Sequence, residues 1–100
     1  MHSLSHHREG NTVTFQLAGV LDAMSAPFIG QEIDRALAAE EQSQLVFDLS
    51  SLRLIDSRGI ALLVAIYKRA QASGQKVAVT GLRSQPLAMF KLLRLDRLFS

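Results

Sequence analysis

The sequence predicts one α/β domain: a small mixed β-sheet of four or five strands, mostly parallel with an N-terminal hairpin, packed on one face by about three to four helices. Three observations predict it. Thr12-Val13-Thr14-Phe15-Gln16-Leu17 alternates strictly, placing Val13, Phe15 and Leu17 on one face of a half-buried strand. Leu45-Val46-Phe47-Asp48-Leu49 and Val77-Ala78-Val79-Thr80 are short apolar runs suited to buried strands. Stretches of helical periodicity separate the three, and such a strand–helix–strand connection is expected to be right-handed with parallel strands.

Length and composition set the bounds. One hundred residues make a single domain, expected to span 1–100. A hydrophobic fraction of 48% argues for a packed core and against disorder. No apolar run approaches the ~20 residues needed to cross a bilayer. Met1-His2-Ser3-Leu4-Ser5-His6-His7-Arg8 lacks the apolar centre of a secretory signal, so a cytoplasmic location is expected. The absence of cysteine excludes disulfides, thiol catalysis and thiolate zinc sites. The net charge of +2 is spread along the chain, with no Lys/Arg tract of the kind that marks a nucleic-acid or membrane surface.

Taken in order, Ser3 to Arg8 is expected to form the first arm of a hairpin turned at Glu9-Gly10-Asn11. The alternating strand follows and ends at Gly19-Val20-Leu21-Asp22. Ser25-Ala26-Pro27 opens a helix, a capping hydroxyl followed by proline in the first turn, where its missing N–H costs nothing. Phe28, Ile29, Ile33, Ala36 and Leu37 form its apolar stripe, and it fades near Glu40-Glu41. After the second strand, Ser50-Ser51-Leu52-Arg53-Leu54 reads as a connector. The next helix starts at Asp56-Ser57 and runs to about Ser73, with Gly74 as the residue that stops it. Leu63, Ile66, Tyr67 and Ala70 give it one apolar face, widened by Ile60, Leu62 and Val64. Most of that helix is expected to be packed, with part of the widened stripe exposed near its start. Ser84-Gln85-Pro86 opens a last amphipathic helix of two turns, and Leu95, Leu98 and Phe99 follow at helical or turn spacing.

The stretch that organises the rest is Ile55-Asp56-Ser57-Arg58-Gly59, between a buried strand and a helix. Asp56 or Ser57 can cap the helix by accepting an otherwise unpaired backbone N–H. A cap alone would explain both residues. The helix dipole also leaves this end partly positive, so a phosphate on Ser57 would meet a favourable field, with the Arg58 cation beside it.

Strand, Ile-Asp-Ser-x-Gly, then a helix rich in Leu, Val and Ala resembles the STAS domain, the family of sulphate transporters and anti-sigma factor antagonists. Leu17-Ala18-Gly19-Val20-Leu21-Asp22 resembles that family's Gly-x-Leu-Asp signature, and Leu92-Leu93-Arg94-Leu95-Asp96-Arg97-Leu98-Phe99 its closing helix. The resemblance implies an anti-sigma factor antagonist. In such proteins the serine after the aspartate, here Ser57, is phosphorylated by an anti-sigma factor serine kinase. The unphosphorylated form docks on that kinase and frees a sigma factor, and a serine/threonine phosphatase resets it. It also implies a partner surface around Asp22, Asp56, Ser57, Arg58, Gly59 and Ile60, although for Asp22 a turn or cap role is equally available. Many members carry a small residue in place of Arg58, and members commonly continue past Ser100 through a further strand and helix. The alternative within the family is a subunit, not switched by phosphate, that binds the ATPase of an ABC lipid-transport system. Gly59-Ile60-Ala61-Leu62-Leu63 resembles the helix of those subunits.

Little points to catalysis. Ser57 has no histidine in a plausible position, because His2, His6 and His7 all sit at the N-terminus and read as solvated tail residues, not metal ligands. No glycine-rich phosphate cradle occurs. Asp22, Asp48 and Asp56 at strand ends could suggest magnesium, but caps explain them more simply. The expectation is a binding module, not an enzyme, with no cofactor or metal, no nucleic-acid partner and no membrane insertion, as a monomer or weak homodimer.

Overall fold

Alternation in the first half of the chain builds the hairpin. The computed structural model describes residues 2–39 and 41–99. Strand β1 (His2–Glu9) runs antiparallel to β2 (Thr12–Leu21), with Glu9 opposite Thr12 and Gly10 at φ +58° in the turn. Helix α1 (Ala26–Ala39) then crosses to β3 (Gln44–Ile55), parallel to β2. Helix α2 (Ser57–Ala72) crosses to β4 (Lys76–Thr80), parallel to β3, and α3 (Ser84–Leu92) closes the order. The sheet order is β1-β2-β3-β4. Helix α1 runs to Ala39 and Glu41 is no longer helical, in keeping with the expected fading near Glu40-Glu41, with Glu40 itself outside the described residues. No helix among them is long and apolar enough to cross a membrane.

Period two sends Val13, Phe15 and Leu17 of β2, with Leu45, Phe47 and Leu49 of β3, to one face. There they meet Ile29 and Ile33 of α1, Leu63 and Ile66 of α2 and Phe90 of α3 in one buried cluster. Phe15 and Phe47 stack with ring centroids 5.5 Å apart. Each such side chain contributes roughly 1.5–3 kcal/mol by leaving water. The opposite face carries a polar row: Ser5 Oγ donates to Gln16 Oε1 and Gln16 Nε2 to Asp48 Oδ2, both at 3.3 Å. Gly74, at φ +75°, follows the α2 terminus, and Phe99 packs edge-on against Tyr67 at 5.2 Å.

Four expectations change. Residues 50–54 are strand, not connector. Register shifts between Gln16/Ala18 and Gly19/Val20 let β3 carry Ser50, Ser51 and Arg53 outward while Leu49, Leu52 and Ile55 stay buried. Phe28 is 61% exposed, because the stripe that reaches the sheet starts at Ile29. The Ser25 hydroxyl is buried and donates to Val20 O at 2.9 Å, tying the loop to β2 instead of capping α1. Ser84 does not cap α3; Arg83 holds the cap position with no side-chain bond.

Candidate functional site

Two loops meet at the C-terminal ends of β2 and β3. They are stitched by backbone and carboxylate. Asp56 N–H donates to Leu21 O at 3.1 Å, and Ala23 N–H donates to Asp56 Oδ2 at 3.2 Å. The other oxygen of Asp56 caps α2, accepting from Arg58 N–H at 2.9 Å and Gly59 N–H at 3.0 Å. Of the two capping candidates, Asp56 is therefore the cap. One carboxylate satisfies two orphan donors of the helix and one of the neighbouring loop.

Ser57 is left exposed as the first residue of α2, and its hydroxyl has no hydrogen-bond partner among the described residues. Arg58 is exposed beside it and forms no ion pair among those residues. Asp22 turns into its own loop: Oδ1 accepts Met24 N–H and Ser25 N–H, each at 3.0 Å. The Ser25 N–H bond is the main reason its carboxyl lies below the usual aspartate range. Asp22 thus neighbours the Ser57 segment through Ala23 while its side chain does turn work.

Gly59 and Ile60 face inward. A Cβ on Gly59 would lie 2.5 Å from Leu21 O and 2.8 Å from both Leu21 Cγ and Ile55 Cγ1. Only glycine lets α2 start this close to the end of β2. Ile60 is 7% exposed and belongs to the core cluster. The expected exposure of the stripe near the start of α2 is corrected at that position, because the close approach at Gly59 rotates Ile60 under the sheet end. Leu62 packs toward α1, its Cδ1 lying 3.2 Å from where a Cβ on Gly30 would be.

The remaining candidates lie elsewhere. His6 and His7 pair with Phe15 and Thr14 near the start of β2, and His6 packs on the Phe15 ring at 5.6 Å. The His2 side chain lies outside the described residues. Asp48 sits on the outer face of the sheet, where the Ser50 hydroxyl and then its N–H hold its carboxyl below the usual range. No group of three His, Asp or Glu residues among the described residues is placed to hold a metal. Sequence patterning missed one residue here. Gln85, from the start of α3, bonds both backbone groups of Ile55 at 2.9 Å, a tertiary pairing that hydropathy does not encode.

With this geometry in view, comparison with known proteins is informative. A family model described as "Mlab, STAS domain" matches residues 4–100. The anti-sigma F factor antagonist of Paenibacillus polymyxa is 26% identical over 76 residues. That match covers 76% of this chain and 63% of the relative, under two thirds of its length. Among solved structures, an anti-sigma factor antagonist from Mycobacterium paratuberculosis superposes with a TM-score of 0.81 at 24% identity, covering 99% of this chain and 83% of the other. The Bacillus cell fate determinant SpoIIAA in its phosphorylated form gives 0.76 at 18% identity, covering 95% and 86%. At these identities the superpositions establish a shared fold.

Proposed function

This chain belongs to the STAS domain family, and from that premise we propose that it is an anti-sigma factor antagonist whose docking on an anti-sigma factor serine kinase is switched by phosphate on Ser57. It is a binding module and the substrate of the kinase, reset by a serine/threonine phosphatase. It acts in the cytoplasm as one unit over residues 1–100, as a monomer or weak homodimer, without cofactor or metal.

The observation that carries this reading is the division of labour between neighbours. Asp56 takes the cap, so the Ser57 hydroxyl is exposed at the mouth of α2 and has no hydrogen-bond partner among the described residues. Ser57 and Arg58 face the partner. Asp22 and Asp56 shape the two loops, and Gly59 and Ile60 support the surface from beneath. A phosphate there adds about −1.5 to −2 charge and three acceptor oxygens. Arg58 and the helix N-terminus stabilise it in the free protein, while in a packed interface it must be desolvated and it repels acidic groups.

The test is affinity capture from the source cell with Ser57→Ala and Ser57→Asp chains. A serine kinase retained by Ser57→Ala alone supports the switch, and equal retention by both overturns it. A second reading, the unswitched subunit on an ABC ATPase, is favoured by Arg58. Its cation in the first turn of α2 opposes the helix dipole and departs from the small residue that many members of the family carry there. An ATPase captured equally by both variants would establish it.

A further inference from the structure

The end of β3 is held from both sides. Towards β2, Leu21 O accepts Asp56 N–H at 3.1 Å. Towards β4 there is no strand left to pair, because the β3–β4 ladder ends at Asp48 and Thr80. The Gln85 carboxamide takes the strand's place. Its Oε1 accepts Ile55 N–H and its Nε2 donates to Ile55 O, each at 2.9 Å. Only one orientation of the amide satisfies both bonds, so the side chain is fixed end to end. Gln85 does not serve its own helix, whose cap lacks any side-chain bond. The residue before it, Ser84, sits at φ +54°, a left-handed conformation that residues other than glycine hold only where the surroundings impose it.

We propose that Gln85 is a positioning residue for Ser57. By occupying both backbone groups of Ile55 it fixes where Asp56 stands, hence how Asp56 caps α2 and where the Ser57 hydroxyl points. Its role in phosphorylation rests on the assignment of Ser57 as the modified residue, so the test has two independent readouts. The first is backbone amide exchange of Arg58 and Gly59 in the full chain, by NMR, corrected for intrinsic pH dependence. The second is phosphate occupancy of Ser57 by mass spectrometry in the source cell carrying each variant.

Gln85→Ala is expected to speed exchange at Arg58 and Gly59 by about tenfold, leaving core amides such as Phe47 unchanged, and to lower Ser57 occupancy several-fold. Gln85→Glu keeps the shape and adds a pH signature. As a carboxylate it accepts from Ile55 N–H but presents no donor to Ile55 O. Protonated, below about pH 4, it donates again and exchange returns to the wild-type rate. Faster exchange spread evenly over the core, no recovery of Gln85→Glu at low pH, or full Ser57 occupancy in Gln85→Ala overturns the proposal. A local exchange response with no phosphate on wild-type Ser57 overturns the proposed switch while supporting the bracing of Ile55.

Discussion

Replacing Gly59 by alanine sets two local effects against each other. Alanine is the better helix former, by up to about 1 kcal/mol in a helix interior. Its Cβ, however, would lie 2.5 Å from the carbonyl oxygen of Leu21, and the 2.8 Å approaches to Leu21 Cγ and Ile55 Cγ1 close the alternative directions. The carbonyl is backbone and cannot swing away alone. Relief requires the end of β2 to separate from the start of α2, which also stretches the bond from Asp56 N–H to that same oxygen. Overpacking of this kind costs about 1–3 kcal/mol, and the strained hydrogen bond adds about 1. Net destabilisation of about 2 kcal/mol is therefore expected, a fall in Tm of about 10–15 °C for a domain this size. Urea and thermal unfolding followed by circular dichroism measure it, with Gly30→Ala as the control. The added Cβ of that control meets only the tip of Leu62 at 3.2 Å, which can rotate, so near-neutral stability is expected. A Gly59→Ala chain as stable as wild type would refute the reasoning, because propensity would then have outweighed the close approach.

Two further outcomes follow from the same loops. Asp56→Ala should lower stability by about 1–2 kcal/mol, seen as a lower urea midpoint at unchanged slope, while Asp56→Asn recovers only part of the loss, because its amide oxygen still accepts the Arg58 and Gly59 N–H groups but its NH2 faces the Ala23 N–H and cannot accept it. The carboxyls of Asp22 and Asp48 are both depressed in the folded chain, so near pH 4 the unfolded chain binds more protons. Their contribution is complete above about pH 5 and is lost as pH falls through the folded values. Tm measured from pH 7 to pH 2 should therefore drop on the acid side, less steeply in Asp48→Asn; stability that rises on acidification through that window contradicts it.

Most of the fold was legible because its signals are local. Strict alternation in residues 12–17, the turn at Gly10 and the stop at Gly74 each depend on a few neighbouring residues, and each appears where the sequence put it. The second half of β3 was illegible for a definite reason. Two register shifts against β2 change the buried spacing from two to three, so Leu49, Leu52 and Ile55 no longer look like a strand. The hydroxyl-then-proline rule placed the starts of α1 and α3 correctly but misassigned the capping side chains. Ser25 found a stronger partner in Val20 O, and the chain around Ser84 is constrained by the reach of Gln85 to Ile55.

The site shows the same boundary between local and tertiary information. That Asp56 and Ser57 lie at a helix mouth was visible in the sequence, but not that Asp56 would take the cap with one oxygen while its other oxygen accepts Ala23 N–H from the neighbouring loop. This allocation has a consequence for how a switch here would work. Both loop carboxylates are already spent on backbone N–H groups, Asp22 on Met24 and Ser25, and Asp56 on Ala23, Arg58 and Gly59. The Ser57 hydroxyl, by contrast, has no bond among the described residues to lose. A phosphate attached there breaks nothing inside the domain and gains Arg58 and the helix N-terminus as neighbours. In the proposed switch its effect would then fall on the docking partner, by charge and by desolvation, with the fold beneath left as it was.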